Sequence, residues 1–320
     1  MAVSPVEADV PDGADEPPDG NADRRDDQGG TGQAMRPGNA EAETRNRQEY
    51  YADLRTAVST EESTTVRRIT AEEQATAEKW GKQTEESRWI WSEYQRKWPP
   101  EQRAPVKRSD DAPPGSWRGE GNRTLKPEAN SRVEAVCDQI ADREREKISP
   151  ALRAIESQDP DRHLVGFEQR LKGRDRIKDK VCRSVRNFGR TPEQAVSRVP
   201  DAIRYTFEYR EARYTQGVWT DIGRLKEEGF KLHSLWNAWS KDQYKGINSQ
   251  WIDPESGQRF EVQFHTRISF EAKQLTHPAY ERLRTRQPDK FEQMVLEAFQ
   301  KKVSADVPVP PGAPDIPGYP

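Results

Sequence analysis

The chain has 320 residues, of which 32% are apolar and 33% charged, and its formal net charge is −3 at neutral pH. That length can hold two domains, but so small an apolar share forms a core only where it is concentrated. No stretch approaches the ~18 consecutive apolar residues that span a bilayer, and no basic segment followed by an apolar run opens the chain, so neither a membrane protein nor an ordinary secreted one is expected. The expected location is the cytoplasm, or export by a system that needs no signal peptide. Cys137 and Cys182 are too few for a disulfide framework, and the four histidines show no zinc-ligand spacing.

In chain order, residues 1 to 41 read as a disordered acidic tail. The first 40 carry nine acidic side chains against three basic ones and no aromatic residue, which leaves a charge of +3 on the remainder. Residues 42 to 98 form a helical region with capping boxes at Ser59 to Glu62 and Thr70 to Glu73. Trp80, Trp91, Tyr94 and Trp98 make an aromatic stripe on it. Docking of that stripe on the C-terminal domain is the simpler reading, and a delivery or immunity partner is the other. Residues 99 to 128 are a Pro/Gly-rich linker, residues 129 to 305 the folded domain, and residues 306 to 320 a Pro-rich tail.

Within the domain, Ser131 with Glu134 and Ser149-Pro150 mark helix starts. Leu164, Phe167 and Leu171 continue a helical period, and a further helix runs from about Arg174 to Asn187. Thr191-Pro192 opens a short helical turn. Strands are expected at 202 to 209, 230 to 236, 246 to 252 and 258 to 265, with helices at 214 to 228, 267 to 286 and 288 to 303. The fold class is α+β: one mixed sheet of four or five strands flanked by helices.

The segment "RFEVQFHT" puts Glu261, Gln263 and His265 on one side of an alternating strand and Phe260, Val262 and Phe264 on the other. Asp201 opens another strand, and two carboxylates at neighbouring strand positions can share a hard cation such as Mg2+. From Arg170 to Arg190 there are nine Lys or Arg residues against two Asp. Arg170, Lys172, Arg176 and Lys180 are spaced to reach one region, which suits a polyphosphate; a solvated basic face or a nucleic-acid backbone is the alternative. There is no glycine-rich phosphate loop and no nucleophile elbow, so a nucleotide is held by side chains, and covalent catalysis is not indicated.

These residues resemble the RelA/SpoT-type nucleotide pyrophosphokinases, the alarmone synthetases, which move the terminal pyrophosphate of ATP to a nucleotide 3′-hydroxyl. The family pattern R-x-K-(x)3-S-I-x-x-K stands here as Arg170, Lys172, Ile177 and Lys180, with Arg176 in place of the Ser. Its E-I-Q-I-R-T strand stands as "EVQFHT", with His265 in place of the Arg, and its later A…H…Y pattern as Ala272, His277 and Tyr280. The resemblance covers roughly residues 165 to 290 and is strongest to the actinobacterial nucleotide 3′-pyrophosphokinase branch. It implies a nucleotidyltransferase-like synthetase fold, an ATP-dependent enzyme and Mg2+ as cofactor. By resemblance, Arg170, Lys172, Arg176, Lys180 and Arg204 bind ATP, Arg170 on the adenine; Asp201 and Glu261 hold the metal. Glu261 takes the 3′-hydroxyl proton and Gln263 orients it, while Tyr244, Lys245, Asn248, His265, His277 and Tyr280 face the acceptor.

Where the family has G-Y-R-S-L-H with a guanine-stacking Tyr, this chain has "GINSQW" with Ile247, so weak discrimination among acceptor bases is expected. The leading reading is pyrophosphate transfer to a purine nucleotide, as in (p)ppGpp or (p)ppApp synthesis, by a delivered toxin or effector. Transfer to the 3′ end of tRNA and a non-catalytic nucleotide-binding module are the alternatives.

Overall fold

The computed structural model describes residues 71–99, 113–119, 123–286 and 288–319. The acidic tail, both proposed capping boxes' Ser59 and Thr70, and most of the linker lie outside the described residues. Helix α1 (Ala71–Lys97) is followed by a two-stranded ribbon, β1 (Trp117–Arg118) with β2 (Thr124–Leu125). Next come α2 (Pro127–Arg143), a π-helical turn (Glu144–Ile148), α3 (Ser149–Ser157) and β3 (Arg162–Val165). The basic segment forms α4 (Arg174–Phe188), and Thr191 closes a full capping box on the short α5 (Pro192–Ser197). Then follow β4 (Arg204–Tyr209), α6 (Tyr214–Glu227), β5 (Lys231–Asn237), β6 (Ile247–Ile252) and β7 (Arg259–Thr266). Helices α7 (Arg267–Arg286) and α8 (Lys290–Ala305) complete the domain.

The five strands lie in the order β3-β4-β7-β6-β5, with β4 and β7 parallel and the other pairs antiparallel. Alternation on β7 explains its central place: Phe260, Val262 and Phe264 form one apolar face, fully shielded from solvent. That face meets α6, where Tyr214 donates to the Phe264 carbonyl at 2.9 Å and Tyr209 donates to Asp221 at 2.7 Å. The opposite face of β7 carries Glu261, Gln263 and His265 and is covered by α7. A strand buried on both faces is more enclosed than the half-buried strand the alternation implies.

Several expectations change. Residues 162 to 165 form an edge strand and not a helix, because they pair antiparallel with β4 and the Leu164 amide donates to the Glu156 carboxylate at 2.7 Å. Helix α2 starts at Pro127, four residues before Ser131; its proline needs no amide partner at that position. Asp201 sits in a short 3-10 turn (Pro200–Ala202) ahead of β4 and not on the strand itself. The Pro-rich segment after residue 305 is no loose tail: Tyr319 pairs with Leu235 on the β5 edge, and Ile316 and Ala313 are buried. Asn237 holds it there, donating to the carbonyls of Ala313 and Ile316 at 2.8 Å each.

Part of the linker is likewise built in. Trp117 donates to Asp175 at 2.8 Å and Arg123 to Asp179 at 2.7 Å, seating the ribbon on α4. The aromatic stripe of α1 lies on α7 and α8, as the simpler sequence reading has it. Trp80 donates to Glu271 at 2.8 Å and Tyr94 to Glu292 at 2.7 Å, while Trp91 meets Phe299 with ring centroids 5.4 Å apart. That face is therefore occupied within the chain. No helix among the described residues is long and apolar enough to cross a membrane.

Candidate functional site

The site forms where four chain segments meet on the polar face of the sheet. Leu171 bridges Ile203, the Lys172 amide donates to the Ala202 carbonyl at 3.0 Å, and the Arg204 amide donates to the Arg170 carbonyl at 2.8 Å. This short antiparallel annex lays the RxK segment beside the start of β4. Lys172 and Lys180, the latter two turns into α4, both bind the Asp201 carboxylate, Lys180 at 3.1 Å. Burial alone would raise the Asp201 pKa, but the two ammonium groups outweigh it and hold the carboxyl at about 2.

One strand further in, Arg204 stands in register with Glu261. The Glu261 carboxylate is buried, accepts a hydrogen bond from Gln263, and has its pKa raised. Burial is the main cause; Arg204 and Lys273 pull the other way, and the charge of Asp201 adds to the rise. Gln263 is oriented in turn by Lys273 of α7, which donates to its Oε1. The charge of Asp201 thus reaches Glu261 from the turn ahead of β4. The fit to a divalent cation is chemical: two hard oxygen donors, one buried and further raised by the charge of the other, with no third acidic or histidine ligand grouped with them among the described residues. Such a pair suits Mg2+, which takes one or two carboxylates and completes its shell with water and substrate phosphate.

The third part is a buried hydrogen-bond chain. Tyr244 Oη lies 2.8 Å from both Asn248 Oδ1 and His265 Nε2, and His265 Nδ1 lies 2.8 Å from Ser269 Oγ. Burial, with Lys273 and Arg204 adding, pushes the His265 pKa well below its usual value, so the imidazole is neutral. Gly246 makes this chain possible. Its φ is +149°, and a Cβ there would stand 2.6 Å from His265 Cε1. Gly246→Ala is therefore expected to destabilise the fold by roughly 1–3 kcal/mol, from the strained backbone and the displaced ring. A chemical denaturation midpoint equal to that of the parent protein would contradict this.

The remaining expected site residues divide. His277 and Tyr280 stack 6.4 Å apart on α7 and line a shallow cleft with Tyr244, Lys273 and Thr276. Lys245 is turned to backbone, donating to the carbonyls of Trp239 at 2.9 Å and Lys241 at 2.6 Å. Arg176 is exposed on the first turn of α4. Arg170 does not join Asp201. Its guanidinium donates to Glu144 at 2.6 Å and lies 4.4 Å from the centre of the Phe167 ring. Glu144, almost fully buried in the π turn, also accepts from Ser149 and from Tyr205 at 2.8 Å. The sequence reading misses Glu144 and Lys273. A π turn has no residue signature, and Lys273 could have been found only by its place next to Ala272 in the A…H…Y pattern.

Ion pairing also revises the basic segment. Arg174 binds Glu134 and Asp138, and Lys178 binds Glu134, so two of the nine cations of the segment are met by acids of α2.

No protein-family model and no curated protein matches the chain. Among solved structures, it is similar to the small alarmone synthetase 1 from Bacillus subtilis, with 14% identity over 55% of this chain and 91% of that one and a TM-score of 0.37. It is also similar to a GTP pyrophosphokinase family protein from Streptococcus pneumoniae, with 15% identity, 56% and 87% coverage and a TM-score of 0.36. The small alarmone synthetase 2 from Bacillus subtilis gives 13% identity, 55% and 92% coverage and a TM-score of 0.35.

Proposed function

We propose that this protein transfers the β,γ-pyrophosphoryl group of ATP to the 3′-hydroxyl of a purine nucleotide. The observation that carries the reading is the buried, pKa-raised Glu261 beside a second carboxylate, Asp201, that two lysines already neutralise. A base whose pKa is lifted towards working pH is matched to removing a proton from a hydroxyl. The 3′-oxygen attacks the β-phosphorus, the bridge from that phosphorus to the α-phosphate oxygen breaks, AMP leaves, and the hydroxyl proton passes to Glu261. Lys172, Lys180 and Arg204 face the phosphates and offset their charge as the bridge breaks. Lys273 holds Gln263, and Gln263 holds Glu261 in line. Asp201 and Glu261 would hold Mg2+, which supplies further charge neutralisation on the phosphates.

Free nucleotide is favoured over tRNA because Arg174 and Lys178 are spent on acids of α2, which leaves less unpaired charge for an RNA backbone. The test is incubation with ATP, Mg2+ and a panel of GDP, GTP, AMP, ADP and tRNA, with products resolved. AMP with a 3′-pyrophosphorylated nucleotide is expected. Product on tRNA alone would shift the acceptor to RNA, and no AMP release with any acceptor would leave a non-catalytic nucleotide-binding module.

A further inference from the structure

The strand register takes acceptor recognition away from Ile247. Ile247 is fully buried and lies opposite Phe264, on the apolar face of the sheet. The next residue, Asn248, lies opposite Gln263 on one side and Trp236 on the other, so it shares the face of Glu261. A ligand on the polar face would therefore not meet the side chain at 247.

What that face does present is an aromatic pair and an unsatisfied amide. Trp236 is half-buried and stacks on Tyr244, with ring centroids 5.7 Å apart and planes 11° from parallel. Asn248 is 1% exposed, and its Oδ1 is held by Tyr244. Tyr244 is itself fixed by His265, and His265 by Ser269. At the end of this chain, Asn248 Nδ2 has no hydrogen-bond partner. A buried donor left unpaired has lost its hydrogen bond to water, and a ligand that brings an acceptor atom restores one. Adjacent strands are about 4.8 Å apart, so Trp236 stands about 10 Å across the sheet from Gln263. Glu261 is two residues from Gln263 on the same face. A nucleoside with its 3′-hydroxyl at Glu261 can thus extend its base over β6 towards β5.

We propose that Trp236 is the stacking platform for the acceptor base and that Asn248 reads the edge of that base. The proposal rests on the pyrophosphate-transfer reading for what sits at Glu261, and it adds the specificity-determining pair. A lone amide donor donates to a keto oxygen, which accepts, and meets the exocyclic amine of adenine donor to donor. The site therefore selects a keto purine over an amino purine, against the weak discrimination expected from Ile247. A site that hydrogen-bonds its substrate rejects the analogue lacking that group far more strongly than an aliphatic pocket does.

The experiment is equilibrium dialysis of GDP and ADP against the full chain saturated with a non-hydrolysable ATP analogue, alongside steady-state rates. Trp236→Leu should weaken GDP binding at least tenfold and leave the KM for ATP unchanged, and Trp236→Phe should restore most of the loss. Asn248→Ala should bring a GDP-over-ADP preference of tenfold or more close to one. Unchanged GDP affinity in Trp236→Leu, or an unchanged base preference in Asn248→Ala, would overturn the proposal. Binding separates this inference from the reaction. If GDP binds and Trp236→Leu weakens it but no AMP forms, the platform stands and the transfer reading falls.

Discussion

Glu261→Gln is expected to lower AMP release from ATP by ~100-fold or more while the thermal midpoint stays level or rises. The substitution keeps the shape and the hydrogen bond to Gln263 and removes the base and one negative charge. Its effect on stability has the opposite sign to its effect on rate. Burial raises the folded-state pKa of Glu261, so the unfolded chain binds fewer protons than the folded one and stability falls as pH rises through the folded value. At neutral pH the ionised carboxylate is thus a liability for the fold, which glutamine relieves. The same shift predicts a rate that climbs with pH through an apparent pKa above that of an ordinary glutamate. Asp201 titrates at about 2 and is already ionised across that range. Full activity in Glu261→Gln, or a drop in activity matched by a collapse of the thermal transition, would remove Glu261 from the chemistry.

A chain beginning at residue 129 is expected to unfold far below the midpoint of one beginning at residue 71, or without a cooperative transition. Trp80 and Tyr94 are buried to within a tenth of complete, and Trp91 and Trp98 pack beside them. At about 1.5–3 kcal/mol for each large side chain, losing Trp80 and Tyr94 alone costs roughly 3–6 kcal/mol. That is comparable with the ~5–15 kcal/mol that holds a whole domain. The loss also strands Glu292, 3% exposed, which Tyr94 shares with Arg282. Because α7 carries Lys273, His277 and Tyr280, a loosened α7 should cost activity as well. The double substitution Trp80→Ala, Tyr94→Ala in the full chain isolates the helix from the ribbon at 117 to 125. Equal midpoints for the two truncations and for this variant would show the domain to be complete without α1.

The sequence by itself determined the elements whose hydrophobic period is local and unambiguous. The alternation of "RFEVQFHT" is a strand, the stripe of α4 is a helix, Thr191 is a cap, and Gly229 stands where the chain turns left-handed at a φ of +91° after α6. It also singled out Lys172, Lys180 and Glu261, because a polar residue on an alternating strand and a dense cationic run are visible without coordinates; Asp201, expected to open a strand, lies in the turn ahead of β4. What it could not determine is which face of which strand meets which helix. Ile247 and Asn248 are adjacent in the chain but lie on opposite faces of the sheet, and only the pairing of β6 with β7 decides which of them shares a site with Glu261. The same holds for charge. Arg170 and Lys172 are two residues apart, yet one neutralises Glu144 and the other Asp201, since the partner acids arrive from distant segments. Helix α1, the ribbon and the Pro-rich segment after residue 305 read as appendages by composition. They join the domain because a few aromatic rings and one asparagine find partners that only the folded chain supplies.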